Sequence, residues 1–180
     1  HFRQRLASHG TRNLGAFYLE IGKREKATAS QVRDALAAAM RVAQKVKATR
    51  VVTTLLLDLP AGTSVSETSA ARSLGEGAVL GPYAFSRYRT NGTPPAAVDA
   101  VTILCAPGRA RALVQEVECG QTMAEATCFA RDLVATPAAD MTPARMADIA
   151  SGFKGLAVTV FEAKDIEKAM GISSTDLVPK

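Results

Sequence analysis

The side chains and glycines of this 180-residue chain that could carry chemistry fall into five groups. The first is GEGAVLG, Gly75–Gly81, which superficially looks like a phosphate-cradling loop. A dinucleotide fingerprint needs its glycines directly after a strand, at the opening of a helix, and spaced GxGxxG. These glycines fall within or near the end of a helical stretch instead. Close helix packing is the better account, because a missing side chain lets another backbone approach. The second group is GTSVS, Gly62–Ser66, which lacks the closing glycine of a nucleophile elbow. Both histidines, His1 and His9, lie upstream of it, so no downstream base exists and serine-hydrolase chemistry within this chain is excluded. Those histidines are the third group. They sit on a basic segment with no acidic cluster, which makes a poor metal site and favours solvent-exposed imidazoles. The three cysteines, Cys105, Cys119 and Cys128, form no CxxC pair and leave an odd one out, so neither a disulfide framework nor a zinc ribbon is supported. A reducing compartment follows. Finally, Tyr83, Phe85 and Tyr88 interleave with Arg87 and Arg89. Such a set could stack on nucleic-acid bases, but three rings around one turn more simply anchor a loop on the core. No catalytic, cofactor-binding or metal-ligating residue is assigned in this chain.

The elements that would position these groups are drawn from an ordinary soluble globular composition, 47% hydrophobic and 22% charged. Trp is absent and aromatics are few, so alanine and valine must carry much of the packing. The net charge of +5 is uneven. Residues 1–50 hold eleven Lys/Arg against three Asp/Glu, and the remainder eleven against fourteen. That asymmetry is compatible with an anionic partner, although a solvated basic face is the simpler reading. No run reaches the roughly 18 apolar residues of a membrane span, and the basic start lacks the apolar stretch of a signal peptide. The chain begins at a His rather than a Met, which fits a missing original N-terminus.

In chain order, residues 1–15 read as a loop or the tail of an element, and Ala16–Ile21 as a short buried strand. Thr28 followed by Gln31 matches a capping box, opening a helix whose apolar stripe is Val32, Leu36, Ala39, Met40, Ala43 and Val46. Arg50–Leu59 reads as a central strand, apolar on both faces and closed by Pro60 and Gly62. Ser64 with Glu67 suggests a second capping box, for a helix through Ala70, Ala71 and Leu74 towards Leu80. Asn91–Val98 is a loop, and Asp99–Ala106 an apolar strand with Cys105 as a buried filler. Arg109–Val134 is helical, with a break expected near Gly120, and Met123, Ala126, Thr127, Ala130 and Val134 share one face. Pro137 ends that helix. Thr142 and Pro143 open the next, which stops at Gly152. Leu156–Phe161 reads as a strand and Asp165–Met170 as a short helix capped by Gly171. Alternation of strands and helices implies an α/β domain with a mostly parallel sheet flanked by helices.

Four segments carry a resemblance, in order along the chain. ARDLVATPAADMTPARMADIA, Ala130–Ala150, resembles the junction segment of the leucyl (cytosol) aminopeptidase family, where members show RDLVNTPxNxxTP. GKREKATASQVRDALAAAMRVAQ, GEGAVLGPYAFSRYRT and LAVTVFEAKDIEKAMG resemble the family's first strand-end and helix, its EGxxLGxYxFxxYK segment, and the strand and helix leading into its catalytic domain. The similarity spans about residues 16–171. Departures are Ala135 and Ala139, where the family often has asparagine, and ISSTDLVPK after Gly171, which does not continue a glycine-rich approach to an active site.

The resemblance implies a macrodomain-like N-terminal α/β domain at 1–135, a linker and connecting helix at 136–155, and the start of a catalytic domain at 156–180. It also implies a cytoplasmic parent enzyme that removes N-terminal residues from peptides with two divalent cations, Zn or Mn, and assembles as a hexamer. The family's metal ligands belong to a segment resembling NTDAEGRL, which has no counterpart here, so the chain is expected to hold no cofactor and to be inactive alone. Some bacterial relatives bind DNA, and a macrodomain-like fold can suggest a nucleotide pocket. A basic module binding DNA or a nucleotide is therefore the alternative expectation.

Overall fold

The computed structural model describes residues 3–9, 12–18, 27–59, 64–91 and 96–170. It is an α/β structure with six helices and four strands among those residues. The first departure from expectation is at the start. Residues expected to form a loop make strand β1 (Arg3–His9), paired antiparallel with β2 (Arg12–Tyr18) in the register Arg3↔Tyr18 to His9↔Arg12. Such pairing is carried by backbone N–H and C=O groups, so it need leave no alternation of apolar residues to read. The expected strand at Ala16–Ile21 overlaps β2 as far as Tyr18, and its remainder lies outside the described residues.

Helix α1 (Ala29–Lys45) begins at the expected capping box: the Thr28 side chain accepts from the Gln31 amide and the Gln31 side chain accepts from the Thr28 amide. Val32, Leu36, Met40 and Ala43 are buried, Ala37 joins them, and Val46 is left exposed at the C-cap. The chain then enters β3 (Arg50–Thr53), which pairs in parallel with β4 (Ala100–Ile103) in the register Arg50↔Ala100 to Thr53↔Ile103. β3 is shorter than the strand expected over Arg50–Leu59. Where the β-branched run Val51–Thr54 gives way to three leucines, the backbone turns into a single helical turn, α2 (Leu55–Asp58). The Thr54 hydroxyl closes that turn on Asp58, 2.7 Å away, and only Leu56 of its residues is buried.

Helix α3 (Glu67–Leu80) is capped by Ser66, whose Oγ accepts from the Ser69 amide, rather than by Ser64. Ser64 donates to the Ala27 carbonyl at 2.8 Å. The choice between the two serines follows burial. With Ser66 as cap, Val65 and Ala70 take the positions of a hydrophobic staple, and both lie in the buried cluster. That cluster joins Val32, Leu36 and Met40 of α1 with Ala70, Ala71 and Leu74 of α3, plus Leu56, Val65 and Leu113. Cys105 packs partly buried against it.

Helix α4 (Ala110–Ala135) runs through Gly120 without a break. Its buried face is Leu113, Gly120 and Ala124, not the stripe expected at Met123, Ala126, Thr127, Ala130 and Val134. Met123 is 51% and Val134 87% exposed. α5 (Pro143–Ser151) starts at Thr142, whose side chain accepts from the Arg145 amide, with Pro143 in its first turn and Gly152 at its end. Residues 156–161 form no strand and are exposed: a strand needs a ladder partner, and none reaches them among the described residues. α6 (Ala163–Met170) starts two residues earlier than expected, and Gly171 lies outside the described residues. By contact the chain divides into two compact units, His1–Asp132 and Leu133–Lys180.

Candidate functional site

The most constrained place in the first unit is where α3 passes between α1 and α4. Its glycines make that passage possible. Gly75 and Gly77 are two residues apart, about 200° around a helix, so they point to opposite sides. A Cβ on Gly77 would stand 2.5 Å from the Arg33 carbonyl oxygen of α1, and one on Gly81 2.7 Å from the Ala37 Cα. A Cβ on Gly75 would collide with the Val117 carbonyl of α4, and one on Gly120 would collide in return with the Arg72 carbonyl of α3. The expected role of GEGAVLG in close helix packing is thus met on both sides of one helix. Gly120, whose reciprocal role sequence reasoning missed, could have been found as a glycine interior to an otherwise uninterrupted helical pattern.

Charged residues rim these crossings. Arg72 reaches Glu116 of α4 at 2.6 Å, Arg109 reaches Glu67 at 2.7 Å, and Arg33 of α1 reaches Glu76 at 3.5 Å. The hydrogen bond that Arg72 donates to Glu116, followed by the Glu116 charge, raises the Arg72 pKa above its usual value. All are at least partly exposed, so they orient the helices more than they stabilise them. Beyond α3, Tyr83 donates to Asp132 Oδ1 at 2.7 Å, and the Arg131 guanidinium lies 5.7 Å from the centre of the Tyr83 ring. Phe85 and Tyr88 meet tilted at 5.8 Å. Tyr83 and Phe85 are partly buried, as an anchored loop requires, whereas Tyr88 is 44% exposed.

The remaining sequence candidates are placed as follows. Ser64 and Ser66 are engaged in a loop contact and a helix cap. His9 sits in β1, opposite Arg12, and His1 lies outside the described residues. Cys119 is exposed, while burial pushes the Cys128 thiol upward, which disfavours the thiolate needed for nucleophilic attack or metal binding. Among the described residues no group of three or more His, Cys, Asp or Glu is arranged to hold a metal ion. The described residues therefore do not fit a two-metal centre. Nor, among them, is any helix long and apolar enough to cross a membrane.

Residues 20–92, which contain α1, β3, α3 and the α3 glycines, match the model of the cytosol aminopeptidase family, N-terminal domain. Over these residues the chain carries the N-terminal domain of the cytosol aminopeptidase family. It is 33% identical over 172 residues to a probable cytosol aminopeptidase of Picosynechococcus sp., covering 89% of this chain and 33% of that protein. A probable cytosol aminopeptidase of Mycobacterium ulcerans is 36% identical over 155 residues, 83% of this chain and 28% of that one. Among solved structures, the bottromycin maturation enzyme BotP in complex with Mn is similar with a TM-score of 0.66 and 32% identity, over 83% of this chain and 29% of that chain. The chain thus spans about a third of the length of the cytosol aminopeptidases it matches.

Proposed function

We propose that this chain serves as the N-terminal, non-catalytic part of a leucyl aminopeptidase that removes N-terminal amino acids from peptides with two divalent metal ions, Zn or Mn. The observation that carries the reading is the family match over residues 20–92, whose glycines and caps serve helix packing rather than reaction chemistry. In this reading residues 1–135 form the assembly domain, 136–155 the linker and connecting helix, and 156–180 the beginning of the catalytic domain. The chain itself contributes no catalytic, cofactor-binding or metal-ligating residue. Mn in the BotP complex supports the metal-dependent part of this reading, in which the ligands belong to the catalytic domain. The working protein is a cytoplasmic hexamer acting on peptides. DNA or nucleotide binding by the basic first fifty residues has no comparable support.

The test is direct. The purified 180-residue chain, assayed on a leucine anilide with added manganese, is expected to give no turnover above buffer. Metal-dependent hydrolysis that co-purifies with the chain and disappears with a chelator would overturn the assignment of a non-catalytic role.

A further inference from the structure

After Ala124 no residue of α4 is fully buried, although the helix continues for eleven more residues to Ala135. A helix end without buried anchors frays, because its last carbonyls lack intrahelical partners. Half-buried Cys128 and Leu133, with buried Thr136 just beyond the helix, anchor these turns lightly, and Tyr83 adds a polar tie. Its base is fixed to α1: the preceding Gly81 packs against Ala37, and the Pro82 carbonyl accepts from Gln44 Nε2 at 3.4 Å. Its far end is gripped by two consecutive residues of α4, with Asp132 accepting from the hydroxyl and Arg131 over the ring.

We infer that Tyr83 is a strut that ties the last turns of α4 to α1, keeping them helical and attached to the first unit as far as Asp132. It is a positioning residue and touches no reacting group. The bond to Asp132, with lesser help from burial and charge, pushes the Tyr83 pKa from 10 up to about 12. A folded pKa above the unfolded one means the strut's contribution is complete below pH 10 and disappears as pH rises through 12.

Hydrogen exchange on the full 180-residue chain tests this, with Tyr83→Phe removing only the hydroxyl and leaving the ring under Arg131. Amides at 127–135 are expected to exchange about three- to tenfold faster in Tyr83→Phe, the change due to one hydrogen bond, while those at 32–43 of α1 keep their rates. Asp132→Asn retains a neutral acceptor and should fall between wild type and Tyr83→Phe. Asp132→Ala should be at least as fast as Tyr83→Phe, and the double variant no faster than Asp132→Ala. A rapid absorbance titration should show a tyrosinate step near pH 12 that Tyr83→Phe lacks. Unchanged rates at 127–135, equal acceleration in α1, or additive effects in the double variant would each overturn the strut.

Discussion

Gly75 and Gly120 set local preference against packing, and the outcome can be weighed. Alanine is the better helix former by about 1 kcal/mol at an interior position. A Cβ at Gly120, however, meets the Arg72 carbonyl oxygen, a backbone atom that cannot rotate away. Overpacking of that kind costs about 1–3 kcal/mol even where side chains can adjust, so the clash prevails. Gly120→Ala is expected to lower the unfolding free energy by roughly 2 kcal/mol in urea titrations, a destabilisation on the scale of other packing defects. An unchanged or higher midpoint would mean that α3 and α4 are free to separate. The purpose of GEGAVLG was legible from its position inside a helix, but its partner on α4 was not. Nothing near Gly120 in the sequence says which helix comes close. The caps at Thr28 and at Thr142-Pro143 were legible because a cap is satisfied within three residues of chain. At the start of α3 the same local rule pointed to Ser64, whereas burial of Val65 goes with Ser66 as the cap.

Helix α4 shows why an element's faces are harder to read than its existence. A 26-residue helix with alanines all round offers more than one apolar stripe. Met123, Ala126, Ala130 and Val134 make one, while Leu113, Val117, Gly120 and Ala124 make another, and periodicity scores both. The second is the one that packs, because its small residues permit contact with α3 while Leu113 fills the cluster. Leu113→Ala, at a site 3% exposed, is therefore expected to cost roughly 2–4 kcal/mol. Met123→Gln, at a site 51% exposed, should leave stability within about 0.5 kcal/mol. Thermal or denaturant unfolding of the two variants distinguishes the faces, and the reverse order would restore the face expected from the sequence. The strand expected over Arg50–Leu59 failed for a related reason. Apolarity marked the segment as buried, but only the change from β-branched residues to leucine marked where β3 stops and α2 begins.

At the scale of the molecule, the two units differ in how much they bury. The first holds the whole cluster of α1, α3 and Leu113. In the second, Thr136 at 7% is the one buried residue among those whose burial is described, while Leu156 at 67% and Phe161 at 58% stand exposed. Few buried contacts mean cheap local opening. Amides of α5, 143–151, are thus expected to exchange well before those of α1, 32–43, in the same experiment. Equal protection would show that the second unit has a core of its own. Alternation of strands and helices was enough to read the α/β class, since each apolar face must find another layer. Which segments pair was not legible, as at residues 156–161, because pairing is decided by what lies far off in sequence. The glycines of α3 carry one more consequence, for the order of events in folding. With Gly75 and Gly77 in its interior, α3 is a poor helix by itself, and its partners lie more than forty residues away on the α4 side. Packing on α1, which precedes it in the chain, covers one side, and the Gly75–Gly120 crossing on the other side closes only once α4 has been made.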